Sequence, residues 1–384
     1  MAKYIKRAIR KAFLKKMLPN KVMLLLGARR VGKTSFIEHL EKEDIRESFL
    51  ELNGEDSSTV EILKLRTVEN YKRLTGKYKI LIIDEAQKIP DIGLILKLMV
   101  DKIKSIKIIA TGSSMFDLSN QLGEPLTGRK ITFNLYPLSQ MEYSQEENLV
   151  QTRSLLEERL IYGSYPELIQ YINNEEKAAY LKELVNSYLL KDILEHDGTK
   201  NSSKMINLLR LIAFQIGKEV SLDELGRQLE MSRNTVEKYL DLLAKVFVIY
   251  KVSGFSRNMR KEITKMNKWY FYDNGIRNTL IANFNPISTR NDIGELWENY
   301  LLSERIKFQH YTGMIANNYF WRTYYQQEID WIEEREGNLF AYEIKWKNIK
   351  KVKVPSAWKE SYPESNYSVI THDNYLDFIT KPST

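Results

Sequence analysis

Nine consecutive residues carry the plainest chemistry in the chain: Gly27-Ala28-Arg29-Arg30-Val31-Gly32-Lys33-Thr34-Ser35 fits G-x-x-x-x-G-K-[ST]. Gly27 and Gly32 let the backbone curl so that its N–H groups face phosphate oxygens. Lys33 then meets the β- and γ-phosphates of ATP, and the Thr34 hydroxyl can ligate Mg²⁺. A phosphate loop needs an acid pair beside it, and "ILIIDE" supplies Asp84 and Glu85. Asp84 would hold the Mg²⁺ shell, and Glu85 would orient and polarise the attacking water. A third group of hydroxyls, Thr111, Ser113 and Ser114, ends another apolar run, "KIIATGSS". A hydroxyl there can sense the γ-phosphate, and Ser113 is the favoured one.

These groups work only if parallel strands deliver them to one edge. Lys21 to Leu26 reads as a short buried strand before the loop, and Phe36, Ile37 and Leu40 mark an amphipathic helix after it. Ile80 to Ile83 and Lys107 to Ala110 read as the strands carrying the acids and the sensor. Further on, "LTGRKITFNLYPLSQMEY" places Arg129 just before another strand. Here the pattern resembles AAA+ ATPases. The resemblance implies that Arg129 reaches the γ-phosphate of a neighbouring subunit, a task suited to a permanent, forked cation. That role requires a homo-oligomer. Otherwise Arg129 is a surface arginine at a helix end.

A second constellation lies near the C-terminus. "NLFAYEIKWK" alternates like a strand and sets Glu343 and Lys345 on one face. Before it come a helix carrying Glu298, a strand near Asn318–Arg322 and a strand Glu328–Ile332 carrying Asp330. A helix near Trp358 and a strand near Val369 follow, giving the order α-β-β-β-α-β. That order, with these four residues, resembles the PD-(D/E)xK nucleases, although Ile329 stands where the motif name has Pro. The resemblance implies that Asp330 and Glu343 bind Mg²⁺, that Lys345 orients or activates water, and that Glu298 completes the acidic cluster. Lys347, Lys350, Lys351 and Lys353, with Trp346 among them, could follow a phosphate backbone or form a solvated surface.

Between the two constellations the chain reads as helical from about 152 to 217. Then "SLDELGRQLEMSRNTVEKYLDLLAKVFVIYKVSG" reads as a helix-turn-helix with a wing strand. Ser221 and Glu224 open the first helix, and Ser232 opens the second. Arg233, Asn234, Thr235 and Lys238 sit at the front of the second helix, where such modules meet DNA. Modules of this kind also serve as protein-contact or purely structural pieces.

Bulk properties narrow the classes. The 384 residues predict two to four domains. No apolar run is long enough to span a membrane. The chain has no Cys and four scattered His, so a metal would be held by oxygen ligands, as Mg²⁺ is. A net charge of +8 favours an anionic partner. The first 21 residues hold eight Lys or Arg and no acid. With Ile5, Ile9 and Phe13 at helical spacing, they are expected to form a helix packed on the next domain rather than a transit peptide. Nothing resembles a signal peptide, so a cytoplasmic location is expected.

End to end, "GARRVGKTS", "LIIDEAQ", "ATGSS", "LTGRK", "LYPLSQMEY", "GSYPEL", "YFYDNGIRN", "ELWENYLLSE", "EIDW" and "YEIKW" resemble AAA-family ATPases of archaea and bacteria that carry a C-terminal domain of unknown function. The resemblance implies an α/β protein in four parts: a P-loop AAA+ core with a parallel sheet (1–150), a helical lid (151–204), a winged helix (205–258) and a restriction-endonuclease-like domain (259–384). Its implied partners are ATP and ADP, Mg²⁺ and DNA, with no membrane. Two functions fit: an ATPase coupled to a Mg-dependent nuclease domain, or an ATP-dependent switch or scaffold whose last domain binds without cutting.

Overall fold

The computed structural model describes residues 4–113, 126–189, 202–256, 267–323, 325–347 and 352–381. These fall into two compact units. The first comprises residues 6–136 and 245–247, and the second comprises 1–5, 137–244 and 248–384.

The first unit is built on β1 (Val22–Leu26), β2 (Phe49–Asn53), β3 (Ile80–Asp84), β4 (Lys107–Gly112) and β5 (Lys130–Asn134). They form one parallel sheet in the order β2-β3-β4-β1-β5. Every residue of β1 is buried, as are the four apolar residues of β3. Such unbroken apolar runs suit strands covered on both faces. The helices are α1 (Arg10–Lys16), α2 (Lys33–Glu43), α3 (Ser57–Lys64), α4 (Val68–Thr75) and α5 (Ile92–Lys102). The basic leading segment does pack: α1 buries Phe13 against Phe36 and Phe133, with ring centroids 5.4 and 5.1 Å away. Its helix begins only at Arg10, and Ile5 packs instead with Leu138 and Tyr143 in the second unit.

The second unit carries β6 (Glu219–Val220), β7 (Ile249–Gly254), β8 (Asn267–Phe271), β9 (Asn317–Arg322), β10 (Glu328–Arg335), β11 (Asn338–Ile344) and β12 (Asn366–Ile370). These make one sheet in the order β12-β11-β10-β9-β7-β8-β6. The β7/β9 and β11/β12 pairs are parallel and the rest antiparallel. A single sheet therefore runs on both sides of residue 258. Its helices are α6 (Gln140–Tyr143), α7 (Leu149–Ser154), α8 (Leu156–Tyr162), α9 (Asn174–Glu183), α10 (Ser202–Phe214), α11 (Leu222–Leu229), α12 (Arg233–Lys245), α13 (Asn274–Leu280), α14 (Ile293–Thr312), α15 (Ser356–Ser361) and α16 (Tyr375–Thr380). From α14 to β12 the elements follow the order expected from sequence. The helix α16 was not foreseen.

Several of the sequence motifs hold this unit together. In "GSYPEL", Gly163 has φ 76° and its missing Cβ leaves room for the Asp273 carboxylate. Asp273 accepts from the N–H of Ser164 at 2.7 Å and caps α13 by accepting from Ile276 N–H. In "DNGIRN", the Asn274 and Asn278 amides donate to the carbonyls of Leu160, Ile161 and Leu296. Asn299 of α14 exchanges two hydrogen bonds with the backbone of Phe271. The helix α14 is buried on most of its faces. Its Arg305 forms a two-point ion pair with Glu333 at 2.6 and 2.9 Å, wholly out of solvent. Among the described residues, no helix is long and apolar enough to cross a membrane.

Candidate functional site

Parallel strands place the ends of β1, β3 and β4 along one edge of the first sheet, where the loops that follow can converge. The glycine-rich loop leaves β1 and turns into α2 through Gly32, whose φ of 89° favours glycine. A Cβ at Gly27 would overlap the carbonyl oxygen of Leu135 beyond β5. The loop is also tied from behind by a residue the sequence did not single out. The buried Arg7 guanidinium donates to the Val31 carbonyl at 2.7 Å and to the Tyr136 carbonyl at 2.5 Å.

Lys33 is buried, and its ammonium donates to the carbonyls of Gly27 and Ala28 at 3.0 and 3.1 Å. The Thr34 hydroxyl donates to Asp84 Oδ2 at 3.1 Å, although β4 lies between their strands. The other Asp84 oxygen accepts from the Thr111 hydroxyl. Glu85 has a left-handed backbone, φ 50° and ψ 43°, and its N–H donates to Thr111 Oγ1 at 3.2 Å. Gln87 donates to Glu85 Oε2 at 2.6 Å and to Ser113 Oγ at 3.1 Å. Thr34, Asp84, Glu85 and Ser113 are thus linked by hydrogen bonds, with Lys33 next to Thr34 in the chain. Arg7, Gln87 and Thr111 join them; Gln87 lay within "LIIDEAQ" and Thr111 within "ATGSS", whereas Arg7 lay in no motif. A hydroxyl and a carboxylate in mutual reach at the end of a phosphate loop form an oxygen donor set that suits Mg²⁺.

Arg129 stands elsewhere. Its carbonyl accepts from Val22 N–H at the start of β1, while the loop follows the far end of that strand. Five residues of strand, about 16 Å, separate the two. The Arg129 side chain is partly exposed and pairs with Asp101 of α5 at 2.6 Å.

The second constellation also converges. The register Trp331↔Tyr342 carries Asp330 and Glu343 one step further along neighbouring strands. Lys345, just past the end of β11, is held beside β12 by its N–H bond to Ile370. Its ammonium lies 2.5 Å from Glu343 Oε1 and 3.8 Å from Asp330 Oδ2. Asp330 Oδ2 also accepts from Ile344 N–H at 2.7 Å. Burial raises the pKa of Asp330, and burial followed by the Asp330 charge raises that of Glu343. Burial alone would depress Lys345, but Asp330 and Glu343 raise it. Glu298 accepts from the Tyr270 hydroxyl at 2.5 Å, and its carboxyl is pushed up to about 8 by burial and then by Asp330.

Two further members of this cluster, Lys268 and Glu328, carry no signal in the sequence. Lys268 is almost wholly buried and donates to Glu328. Its pKa rises under Glu298 and Glu328 although burial opposes this. Two buried oxygens here have no hydrogen-bond partner, Glu343 Oε2 and the Tyr367 hydroxyl. Among the described residues, however, no three His, Asp or Glu side chains stand close enough to hold a metal. Two carboxylates and an unpaired acceptor fit Mg²⁺, which keeps most of its water and needs only one or two carboxylates.

At the front of α12, Arg233 and Asn234 are exposed, and Arg233 lies 3.7 Å from Asp223. Trp346 packs edge-on against Trp297 and His372, at 5.2 and 5.6 Å, so it is not a free stacking platform. Lys347 and Lys353 are exposed, while Ser114, Lys350 and Lys351 lie outside the described residues.

Residues 19–144 match the family model described as "AAA domain". Over these residues the chain is similar to AAA domains. Residues 153–287 match "Domain of unknown function (DUF8612)" and residues 293–381 match "Domain of unknown function (DUF4143)". An uncharacterized protein of Mycobacterium tuberculosis is 25% identical over 84% of this chain and 70% of its own length. One of Methanocaldococcus jannaschii is 23% identical over 86% of this chain and 76% of its own. Among solved structures, a Signal Transduction ATPase with Numerous Domains from Pyrococcus horikoshii aligns at a TM-score of 0.33 and 13% identity. That alignment covers 81% of this chain but 48% of the other, so this chain spans about half of that protein's length.

Proposed function

We propose that the chain binds and hydrolyses ATP at the AAA domain. The observation that carries this is the meeting of the phosphate loop with the acid strand, Thr34 against Asp84 at 3.1 Å, with Lys33 in the loop beside them. Lys33 neutralises the β- and γ-phosphates. Asp84 and Thr34 would hold Mg²⁺, which would offset the charge developing on the phosphates. Glu85 orients the water that attacks the γ-phosphorus, and Ser113 contacts the γ-phosphate. In the test, Lys33→Ala abolishes nucleotide binding, whereas Glu85→Gln keeps binding and loses turnover by about 100-fold or more. Normal turnover in Lys33→Ala would refute the assignment.

We further propose that the C-terminal segment directs Mg-dependent phosphodiester hydrolysis at DNA. Support comes from the convergence of Asp330, Glu343 and Lys345 and from the unpaired Glu343 oxygen. Asp330 and Glu343 would hold the cation, which stabilises charge developing on phosphate. Lys345 orients the attacking water, and the exposed front of α12 with the surplus positive charge gathers DNA. Purified protein should nick DNA with Mg²⁺ or Mn²⁺, and Asp330→Ala and Lys345→Ala should not. Cutting that survives both changes would assign it to another site. The second reading is an ATP-dependent switch whose last domain binds nucleic acid or protein without cutting; the pairing of Lys345 with Glu343 at 2.5 Å, which neutralises that carboxylate, favours it. DNA binding with no cutting by the wild type would select it.

A further inference from the structure

The side chain of Gln87 has no role in the chemistry set out above, yet it joins two groups that do. Its amide nitrogen carries two N–H bonds. One meets Glu85 Oε2 at 2.6 Å and the other meets Ser113 Oγ at 3.1 Å. The amide cannot be turned over, because its oxygen would then face a carboxylate oxygen at hydrogen-bond distance. Its own oxygen, Gln87 Oε1, is buried with no partner. The side chain thus accepts an unpaired polar atom in order to point both its donors at the site.

The backbone around Glu85 is fixed independently. Gly54 N–H donates to the Asp84 carbonyl at 2.8 Å, and a Cβ on Gly54 would overlap the Glu85 carbonyl. Lys88 N–H holds that same carbonyl at 3.0 Å. Only the Glu85 side chain is left to be placed, and Gln87 places it. Because Ser113 accepts from Gln87, its own O–H remains available to donate to a phosphate. The hydrogen bonds then run from Gln87 to Ser113 and on to the γ-phosphate, and from the same nitrogen to Glu85. Bonds that share a donor group polarise one another in a low-dielectric site.

We propose that Gln87 is a positioning residue that couples occupancy of the γ-phosphate position, felt at Ser113, to the orientation of Glu85. This rests on the ATP-hydrolase proposal above. The test compares steady-state ATP hydrolysis and ADP binding in the full chain, its Gln87→Met, Gln87→Glu and Ser113→Ala variants, and the double variant Gln87→Met/Ser113→Ala. Thermal melts with and without ADP show that each variant is folded. Gln87→Met is expected to lower kcat about tenfold or more, with KM and ADP affinity within about threefold. Gln87→Glu, which keeps the length but replaces the donor with an acceptor, is expected to be slower still. The double variant should be no slower than the slower single variant, because both changes break one chain of bonds. A kcat unchanged in Gln87→Met, or independent losses that multiply in the double variant, would overturn the inference while leaving the hydrolase assignment intact. A wild type that neither binds nor hydrolyses ATP would overturn that assignment and the inference with it.

Discussion

Glu298 sits in surroundings unlike those of an ordinary carboxylate. It is half-buried, accepts from the Tyr270 hydroxyl, and faces Asp330, Glu328 and Lys268, with its carboxyl pushed up from 4.5 to about 8. An acid that binds its proton more tightly when folded stabilises the fold most at low pH. Its contribution is complete below the unfolded value and is lost as the pH rises through the folded value. Melting temperature should therefore fall between about pH 5 and about pH 9, and Glu298→Gln, which carries a neutral amide into the same space, should flatten that fall. Calorimetric melts across the range check this. An unchanged slope would place the proton elsewhere. At the proposed nucleotide site, the residue types alone single out Lys33, Thr34, Asp84 and Glu85, because phosphate-loop chemistry places such residues at narrow spacings. Arg7 and Lys268 were illegible, since a lone basic residue far along the chain shows nothing of the carbonyl or carboxylate it will meet.

At the scale of elements, two close approaches decide whether the sites form. Gly27 lies against the Leu135 carbonyl, and backbone cannot swing aside as a side chain can. Gly27→Ala should destabilise the first unit by about 2 kcal/mol or more and abolish ATP binding, read from melts and nucleotide titration. In the second unit, Asp273 both caps α13 and receives Ser164 N–H. Asp273→Ala leaves two buried donors unpaired and should cost about 2–3 kcal/mol, while Asp273→Asn should cost less. Equal losses would mean that charge or packing, not acceptance of these N–H groups, is what matters. The motifs "GSYPEL" and "DNGIRN" stood out in sequence as signatures. In the structure they hold strand and helix ends together by side-chain bonds to backbone. Motif conspicuousness did not separate chemistry from scaffolding, because both need polar groups at fixed positions.

At the scale of the whole molecule, Arg129 sets a test of assembly. It lies at the far end of β1 from its own phosphate loop, so it can serve the γ-phosphate only on another copy. Its pair with Asp101 is partly exposed and contributes little to stability. Arg129→Ala should leave the melting temperature unchanged and lower the specific ATPase activity at protein concentrations where the wild type self-associates. If wild-type specific activity is independent of concentration and Arg129→Ala is fully active, Arg129 is a surface residue.

The sequence by itself determined the ATP-binding motif, the short parallel strands that carry it, and the order of elements from α14 to β12. Each is written in local spacing: a glycine pattern, apolar runs of strand length, and polar–apolar alternation. The tertiary structure decided what local spacing cannot express. Sheet pairing set β7 beside β9 and put strands on either side of residue 258 into one sheet. Packing brought Glu298, Asp330 and Glu343 within electrostatic reach of one another and of Lys268 and Glu328. A turn of three residues brought Gln87 between Glu85 and Ser113. Hydrogen bonds and charges act over a few ångströms in space, and chain order records only which residues are near in sequence.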